Sequence, residues 1–445
     1  METQTGSEVK VSEQYQRVLD LSKSCGIKMP MIAMDNSGTE IRVAVRDADG
    51  NITILQRPNA RGHLKGSTQG QRRKLADKLE RICAKDANCV GFQVHGDYVY
   101  GSAALDPILT DYFDSIEPVE KTIEHLSNSK HLDGYQERHA AALAWAQKAV
   151  GEKASPAIVM LTIPDYLDAG LQSGHKDYVQ KLSGVRKDIQ SGFEVVTLGE
   201  GRAAAEYMLG EVPAAIVLDG GDITANFVVV SGADSDPLVY NENLAATLAT
   251  GGGRWMDKYF AKVLIEQMNG KSGQTEASLE TLLNAQVVKT IKEASAGVRA
   301  NFNGDYNSIS AGQRKIGRLD LGCGRGIQYD ITEAADSLPR QYGNLLVDDI
   351  TEFVQNEQRF DRKIANPAVL NEAFRKVVLA GGLSAIPGML EYIAGELMQR
   401  GFSTRAGDVT CVPRSDYKIA VVLGALARGI RIVQEYPDSY RPAGE

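Results

Sequence analysis

One arrangement occurs in two distant parts of this sequence and constrains its fold more than any other feature. An apolar strand leads into an aspartate and a turn of small residues, and a second apolar strand follows, first near residue 32 and again over residues 215–231. A tight turn of small residues lets backbone N–H groups point at anionic oxygens. An aspartate at the start of such a turn can hold a metal ion, usually through water. The repetition predicts two similar lobes with one such turn each.

Predicted strands alternate with predicted helices between and after the two hairpins. The apolar strands AIVMLTI, FEVVTL, AAIVLD and KVVLA are separated by helical patterns such as ERHAAALAWAQKAV and GRAAAEYML. Such alternation is typical of α/β domains whose sheets are covered by helices. We therefore expect an α/β protein of two lobes, each a mixed sheet flanked by helices, with inserted subdomains.

The expected domain limits follow from these patterns. A polar extension occupies residues 1–28, and a C-terminal helix that returns to lobe I occupies residues 413–445. Lobe I covers residues 29–214, with an inserted subdomain at about 58–154 that is expected to be mostly helical after residue 102. Lobe II covers residues 215–412, with an inserted subdomain at about 256–337 that is expected to be rich in polar helix.

Composition disfavours several classes of function. With 43% hydrophobic and 24% charged residues, the 445-residue chain is typical of a globular protein with two or more domains. Its net charge of −8 argues against general attraction to nucleic acid or anionic lipid. No apolar run approaches the roughly 20 residues that span a bilayer, and the amino end lacks the apolar centre of a signal peptide. The five scattered cysteines form neither a zinc spacing nor a disulfide framework, which favours a cytoplasmic protein with reduced cysteines.

The candidate binding residues lie in the two turns and in a third, glycine-rich element. The first turn runs from Asp35 to Thr39, and the second runs from Asp219 to Asn226. In the third, the strand KVVLA leads into Gly381-Gly382, and Pro387 is expected to open a helix. Glycine there would let a flat base or ribose lie on the backbone, and the start of the helix would favour anionic groups. Each element alone is common in plain hairpins and turns, so the inference depends on their combination.

Together, these elements resemble the two phosphate loops and the adenosine loop of the superfamily that includes actin, the bacterial actins, the seventy-kilodalton heat-shock chaperones and the sugar kinases. The segment Ala420–Ala427 is similar to the alanine- and glycine-rich helix at the hinge between their lobes. Gly199–Ala205 resembles the chaperone segment whose glutamate orients the attacking water, and Gly252–Asp257 is similar to their Gly-Gly-Glu-Asp-Phe-Asp. The pairs Asp35-Asn36 and Gly381-Gly382 are closer to the versions in actin.

The resemblance implies a site for ATP and Mg²⁺ between the two lobes. Asp35 and Asp219 would hold Mg²⁺ through water. The catalytic residues would be Asp219 and Glu200, and Glu200 would align the attacking water. The implied nucleotide-binding residues are Asn36, Ser37, Gly38, Thr39, Gly220, Gly221, Thr224, Gly252, Gly253, Lys292, Gly381, Gly382 and Leu383. For Glu200, the residue alone leaves open a structural interpretation, a carboxylate that stabilises the start of a helix.

Several residues depart from the chaperone pattern. Asp222 and Ile223 stand in place of glycines, and Asn226 stands in place of a second aspartate. Leu105 lies where the chaperones have a catalytic lysine, and Ala385 replaces an arginine that stacks on adenine. These departures predict slow hydrolysis, or nucleotide binding alone.

The expected function is that of an ATP-binding, slowly hydrolysing actin-like protein. Its nucleotide state would control lobe closure and head-to-tail assembly of the chain with itself into filaments. The alternative is a chaperone-like ATPase module that acts with a separate protein partner, although no peptide-binding domain is expected after the last helix. A small-molecule kinase would need an acceptor site, for which the sequence offers no distinct catalytic aspartate. A nucleotide sensor without turnover is a fourth hypothesis.

Overall fold

The structure is a computed structural model that describes residues 12–36, 40–86, 89, 91–106, 108–118, 129–150, 156–163, 194–210, 214–221, 224–231, 245–248, 251–268, 316–320, 326–355 and 367–437. Its helices are α1 (Glu13–Ser24), α2 (Gln69–Cys83), α3 (Ser129–Val150), α4 (Glu200–Leu209), α5 (Gly253–Met268), α6 (Thr332–Gln355), α7 (Pro367–Ala373), α8 (Met389–Gln399) and α9 (Ala420–Glu435). Its strands are β1 (Met31–Asn36), β2 (Glu40–Arg46), β3 (Ile52–Pro58), β4 (Ala60–Leu64), β5 (Gln93–His95), β6 (Tyr98–Tyr100), β7 (Phe113–Pro118), β8 (Ile158–Ile163), β9 (Glu194–Gly199), β10 (Ala214–Gly220), β11 (Ala225–Ser231), β12 (Ala245–Thr247), β13 (Ile316–Asp320), β14 (Gly326–Asp330), β15 (Val377–Gly381) and β16 (Val409–Cys411).

Two five-stranded sheets have the same topology. The first has the order β3-β2-β1-β8-β9, and the second has the order β12-β11-β10-β15-β16. In each sheet the repeated hairpin of the sequence supplies an antiparallel pair, and two further strands continue the sheet in parallel. The prediction of two similar lobes built on mixed sheets is therefore confirmed. The limits of the domains stay a prediction.

The central strands are buried along their whole length because helices cover both of their faces. Every residue of β8 and of β10 is buried. On the outer side of the first sheet, α3 packs against β1 and β2. Helices α5, α6, α7 and α8 contribute to the core of the second sheet. A strand that is covered on both faces needs no polar alternation, which accounts for the continuous apolar runs.

A third core lies between the two sheets and contains α4 and α9. Helix α9 packs on β1 and β8 of the first sheet, and α4 packs on β10 and β11 of the second. The two helices cross at Gly424, where a Cβ would overlap the carbonyl group of Ala203. The alanine- and glycine-rich composition of α9 therefore allows close contact between the two halves of the molecule.

A small sheet of order β5-β6-β4-β7 forms a separate core with α2. Its strand β7 was not predicted, because the segment after residue 102 was expected to be mostly helical. Strand β7 pairs with β4, which lies about fifty residues earlier in the chain, and Phe113 packs against Gly62 of β4. Such non-local pairing overrides local propensity.

Two further expectations about local structure were wrong. Pro387 does not open α8, because a 3₁₀ turn at Gly382–Ala385 precedes it and Gly388, with φ of 79°, caps the helix at Met389. The region expected to be polar helix also contains the β13–β14 hairpin.

Among the described helices, none has both the length and the apolar composition that crossing a membrane requires.

Candidate functional site

One group of candidate residues lies where the parallel strands of the first sheet end. Asp35, near the end of β1, is 2% exposed, and the hydroxyl group of Thr162 on β8 donates to its Oδ1 at 3.3 Å. Strand β9 runs parallel to β8 and ends at Gly199, and Glu200 begins α4 immediately afterwards. Glu200 therefore lies at the same edge, about two strand spacings or roughly 10 Å from β1.

Arg42 compensates the charge of Asp35. The two residues face each other across the β1–β2 hairpin, and Arg42 Nη1 lies 3.0 Å from Asp35 Oδ2. Burial raises the pKa of Asp35, while Arg42 and Thr162 act in the opposite direction. Arg42 was not predicted as a site residue, although the register of a short hairpin places the residue seven positions after the aspartate opposite it.

A second group of candidate residues surrounds Asp219 at the equivalent edge of the second sheet. Asp219 is 5% exposed and lies opposite Asn226 on β11 and Ala380 on β15. Gly381 adopts φ of 60° and passes so close that a Cβ there would lie 2.5 Å from Asp219 Oδ1. The side chain of Leu383 covers Gly220, where a Cβ would overlap it. The third element of the sequence therefore packs directly on the second turn.

Gly252 and Gly253 complete this group. The N–H of Gly253 donates to the carbonyl oxygen of Gly221 at 2.9 Å. The N–H of Gly221 donates to the carbonyl oxygen of Thr224, also at 2.9 Å. A Cβ on Gly252 would overlap the carbonyl oxygen of Gly221. Since Gly253 begins α5, the amino end of a 16-residue helix adjoins the second turn, and such an end favours anions.

The structure thus brings together most of the predicted site residues that it describes. Those grouped around Asp219 are Gly220, Gly221, Thr224, Gly252, Gly253, Gly381, Gly382 and Leu383, whereas Asp35 and Glu200 lie at the edge of the first sheet. Ser37, Gly38, Thr39, Lys292 and the side chain of Asn36 lie outside the described residues, as do Asp222 and Ile223. The roles of all these residues in binding and catalysis stay predictions.

The arrangement is chemically suited to an anionic ligand with a flat part. Backbone N–H groups and a helix start can contact phosphate oxygens, two buried carboxylates can hold a metal through water, and side-chain-free glycines allow a ring to lie on the backbone.

Comparisons with known proteins identify the fold. No protein-family model and no curated protein sequence matches the chain. Among solved structures, a non-polymerising mutant of MamK bound to AMPPNP is similar with a TM-score of 0.56 and 14% identity, over 92% of this chain and 99% of that one. MreB 5 of Spiroplasma citri bound to AMPPNP is similar with a TM-score of 0.52 and 13% identity, over 92% of this chain and 98% of that one. The chain therefore has the fold of the actin-like ATPases.

Proposed function

We propose that the chain binds ATP with Mg²⁺, hydrolyses it slowly, and couples nucleotide state to lobe closure and to assembly of the chain into filaments. The proposal depends above all on the convergence of three distant glycine-containing segments around the buried Asp219. A Cβ on Gly252 or Gly381 would overlap the backbone of the second hairpin or the carboxylate of Asp219, so only glycine lets these two segments approach so closely. Backbone brought together in this way would suit an anionic ligand. Two solved structures that share the fold contain AMPPNP, an analogue of ATP, which supports the proposal.

The residues present suit a hydrated Mg²⁺ ion. Asp35 and Asp219 are both buried carboxylates at equivalent strand ends, and Mg²⁺ prefers oxygen ligands while it retains several waters. When bound, the metal would neutralise charge on the phosphate oxygens. Arg42 would add a fixed guanidinium beside Asp35, and its charge would favour a phosphate bound there. The glycine turns would contribute backbone N–H groups on the opposite side of the phosphates.

Glu200 would align the attacking water. It begins α4 at the same strand edge as Asp35 and is partly exposed, so it is accessible from solvent. In phosphoryl transfer, positioning the water contributes more than removing its proton. A carboxylate that only stabilised the start of the helix would contribute to stability and not to hydrolysis.

Glu200→Gln separates these two roles. We expect the steady-state rate of phosphate release to fall by about tenfold or more, with ATP affinity within about twofold of wild type, because glutamine keeps the shape but loses the charge. Phosphate release is measured with a coupled assay and affinity by calorimetry. Equal rates of phosphate release in the two proteins would assign Glu200 to the helix start alone.

Filament assembly is tested by sedimentation and negative-stain electron microscopy. With ATP and Mg²⁺ we expect polymer above a critical concentration, and little or none without nucleotide. Heterologous contacts between identical chains that do not close into a ring give fibres of this kind. ATP hydrolysis without polymer at any concentration would instead favour a chaperone-like module that acts with a separate protein partner.

A further inference from the structure

Glu40 lies between two cations at the start of β2. Its Oε2 accepts a hydrogen bond from Arg42 Nη2 at 2.6 Å and another from Gln56 Nε2 at 2.8 Å. Its Oε1 accepts from Lys418 Nζ at 3.1 Å. Arg42 also reaches Asp35, so a continuous path of ion pairs connects Asp35, Arg42, Glu40 and Lys418.

These ion pairs are partly shielded from solvent. The side chain of Arg42 is 13% exposed, and those of Glu40 and Lys418 are each 23% exposed. Burial opposes the charge of Glu40, but Arg42 and Lys418 outweigh burial and lower its pKa to about 2. Salt screens partly buried pairs less than exposed pairs, so these charges interact at physiological ionic strength.

Lys418 belongs to the segment that begins α9. In the same segment, the carbonyl oxygen of Asp416 accepts from the N–H groups of Ile419 and Ala420, and its carboxylate accepts from the hydroxyl group of Tyr207 on α4 at 2.6 Å. The segment is therefore fixed to α4, the helix that begins at Glu200 and packs on the second sheet.

We propose that Glu40 and Lys418 are positioning residues that control how much of the charge of Arg42 is offered to a phosphate beside Asp35, and that connect the end of β1 to the start of α9. The inference rests on the proposed function, since it assigns a role within the same site. An anionic ligand competes with Glu40 for Arg42. Lys418 neutralises Glu40 and so raises the affinity for the ligand without contacting it.

Lys418→Met tests this inference. The change leaves Glu40 without one of its two cations, so Glu40 binds Arg42 more strongly and adds negative charge beside the phosphate. We expect the Kd for ATP with Mg²⁺, measured by calorimetry at physiological salt, to rise about fivefold or more. Lys418→Arg should bind as wild type does. The control is Lys262→Met on α5. The side chain of Lys262 is 76% exposed, and we expect this substitution to leave the Kd unchanged.

A second change distinguishes positioning from damage to the fold. Adding Glu40→Gln to Lys418→Met removes the unneutralised carboxylate, and we expect the Kd to return to the wild-type value or below. Damage to the fold would not be repaired by a second substitution. A wild-type Kd for Lys418→Met, or a double variant as weak as Lys418→Met, would overturn the inference. Wild-type protein that binds no ATP would overturn the proposed function instead.

Discussion

Asp219→Asn is expected to weaken the binding of ATP in the presence of Mg²⁺ by about 100-fold or more, or about 2.7 kcal/mol. Asp219 is 5% exposed and lies against Gly381, so only a side chain of almost the same shape fits there. Asparagine keeps that shape and removes the charge that would hold the hydrated metal. Metal-mediated stabilisation of phosphate charge amounts to several kcal/mol, which sets the size of the expected loss.

The measurement is calorimetric titration with ATP, with and without Mg²⁺. In wild type we expect Mg²⁺ to increase the affinity, and in Asp219→Asn we expect most of that increase to disappear. The matched control is Asp49→Asn, which makes the same chemical change at an exposed residue of the turn between β2 and β3. If Asp219→Asn keeps both the affinity and the Mg²⁺ dependence of wild type, the metal role assigned to this carboxylate is wrong.

Gly424→Leu is expected to lower the free energy of unfolding by about 3 kcal/mol or more. A Cβ at this position would overlap the backbone of Ala203, and backbone cannot turn aside as a flexible side chain can. Overpacking typically costs 1–3 kcal/mol and sometimes more, and here it would separate α4 from α9 at the core between the two sheets. Thermal unfolding monitored by circular dichroism reports the change as a lower Tm.

Gly395→Leu provides the matched control on another helix. A Cβ on Gly395, in α8, would meet nothing within 4 Å. Leucine is a better helix former than glycine by roughly 0.5–1 kcal/mol, so this variant should be as stable as wild type or slightly more stable. Equal Tm values for Gly424→Leu and wild type would show that the α4–α9 contact adapts freely.

The local chemistry of the hairpins made much of the fold predictable. An aspartate followed by small residues between two apolar strands favours a hairpin, and the repeated pattern identified the same pair of strands in each sheet. The glycines of the turns, Gly220, Gly221, Gly381 and Gly382, were predictable as sites of close approach because each pair directly follows an apolar strand. Their convergence on Asp219 depends on strand order, which places β15 beside β10 and which local propensity does not predict.

The features that the sequence did not predict depend on non-local pairing. Strand β7 exists because β4 offers it a partner, and β13 pairs with β14 within a region whose composition favours helix. The ion pair of Arg42 with Asp35 follows from hairpin register. The ion pair of Glu40 with Lys418 joins residues 378 positions apart. Such contacts exist only once the whole chain has folded.

The most direct test of the account is a crystal structure of the chain grown with AMPPNP and Mg²⁺. We expect the phosphates to contact the backbone of Gly220, Gly221 and Thr224, with Mg²⁺ linked through water to Asp219 and Asp35. The base should lie against the glycine turn at Gly381–Leu383. A nucleotide bound elsewhere, or none at saturating concentration, would contradict the central claim that these turns hold a magnesium nucleotide.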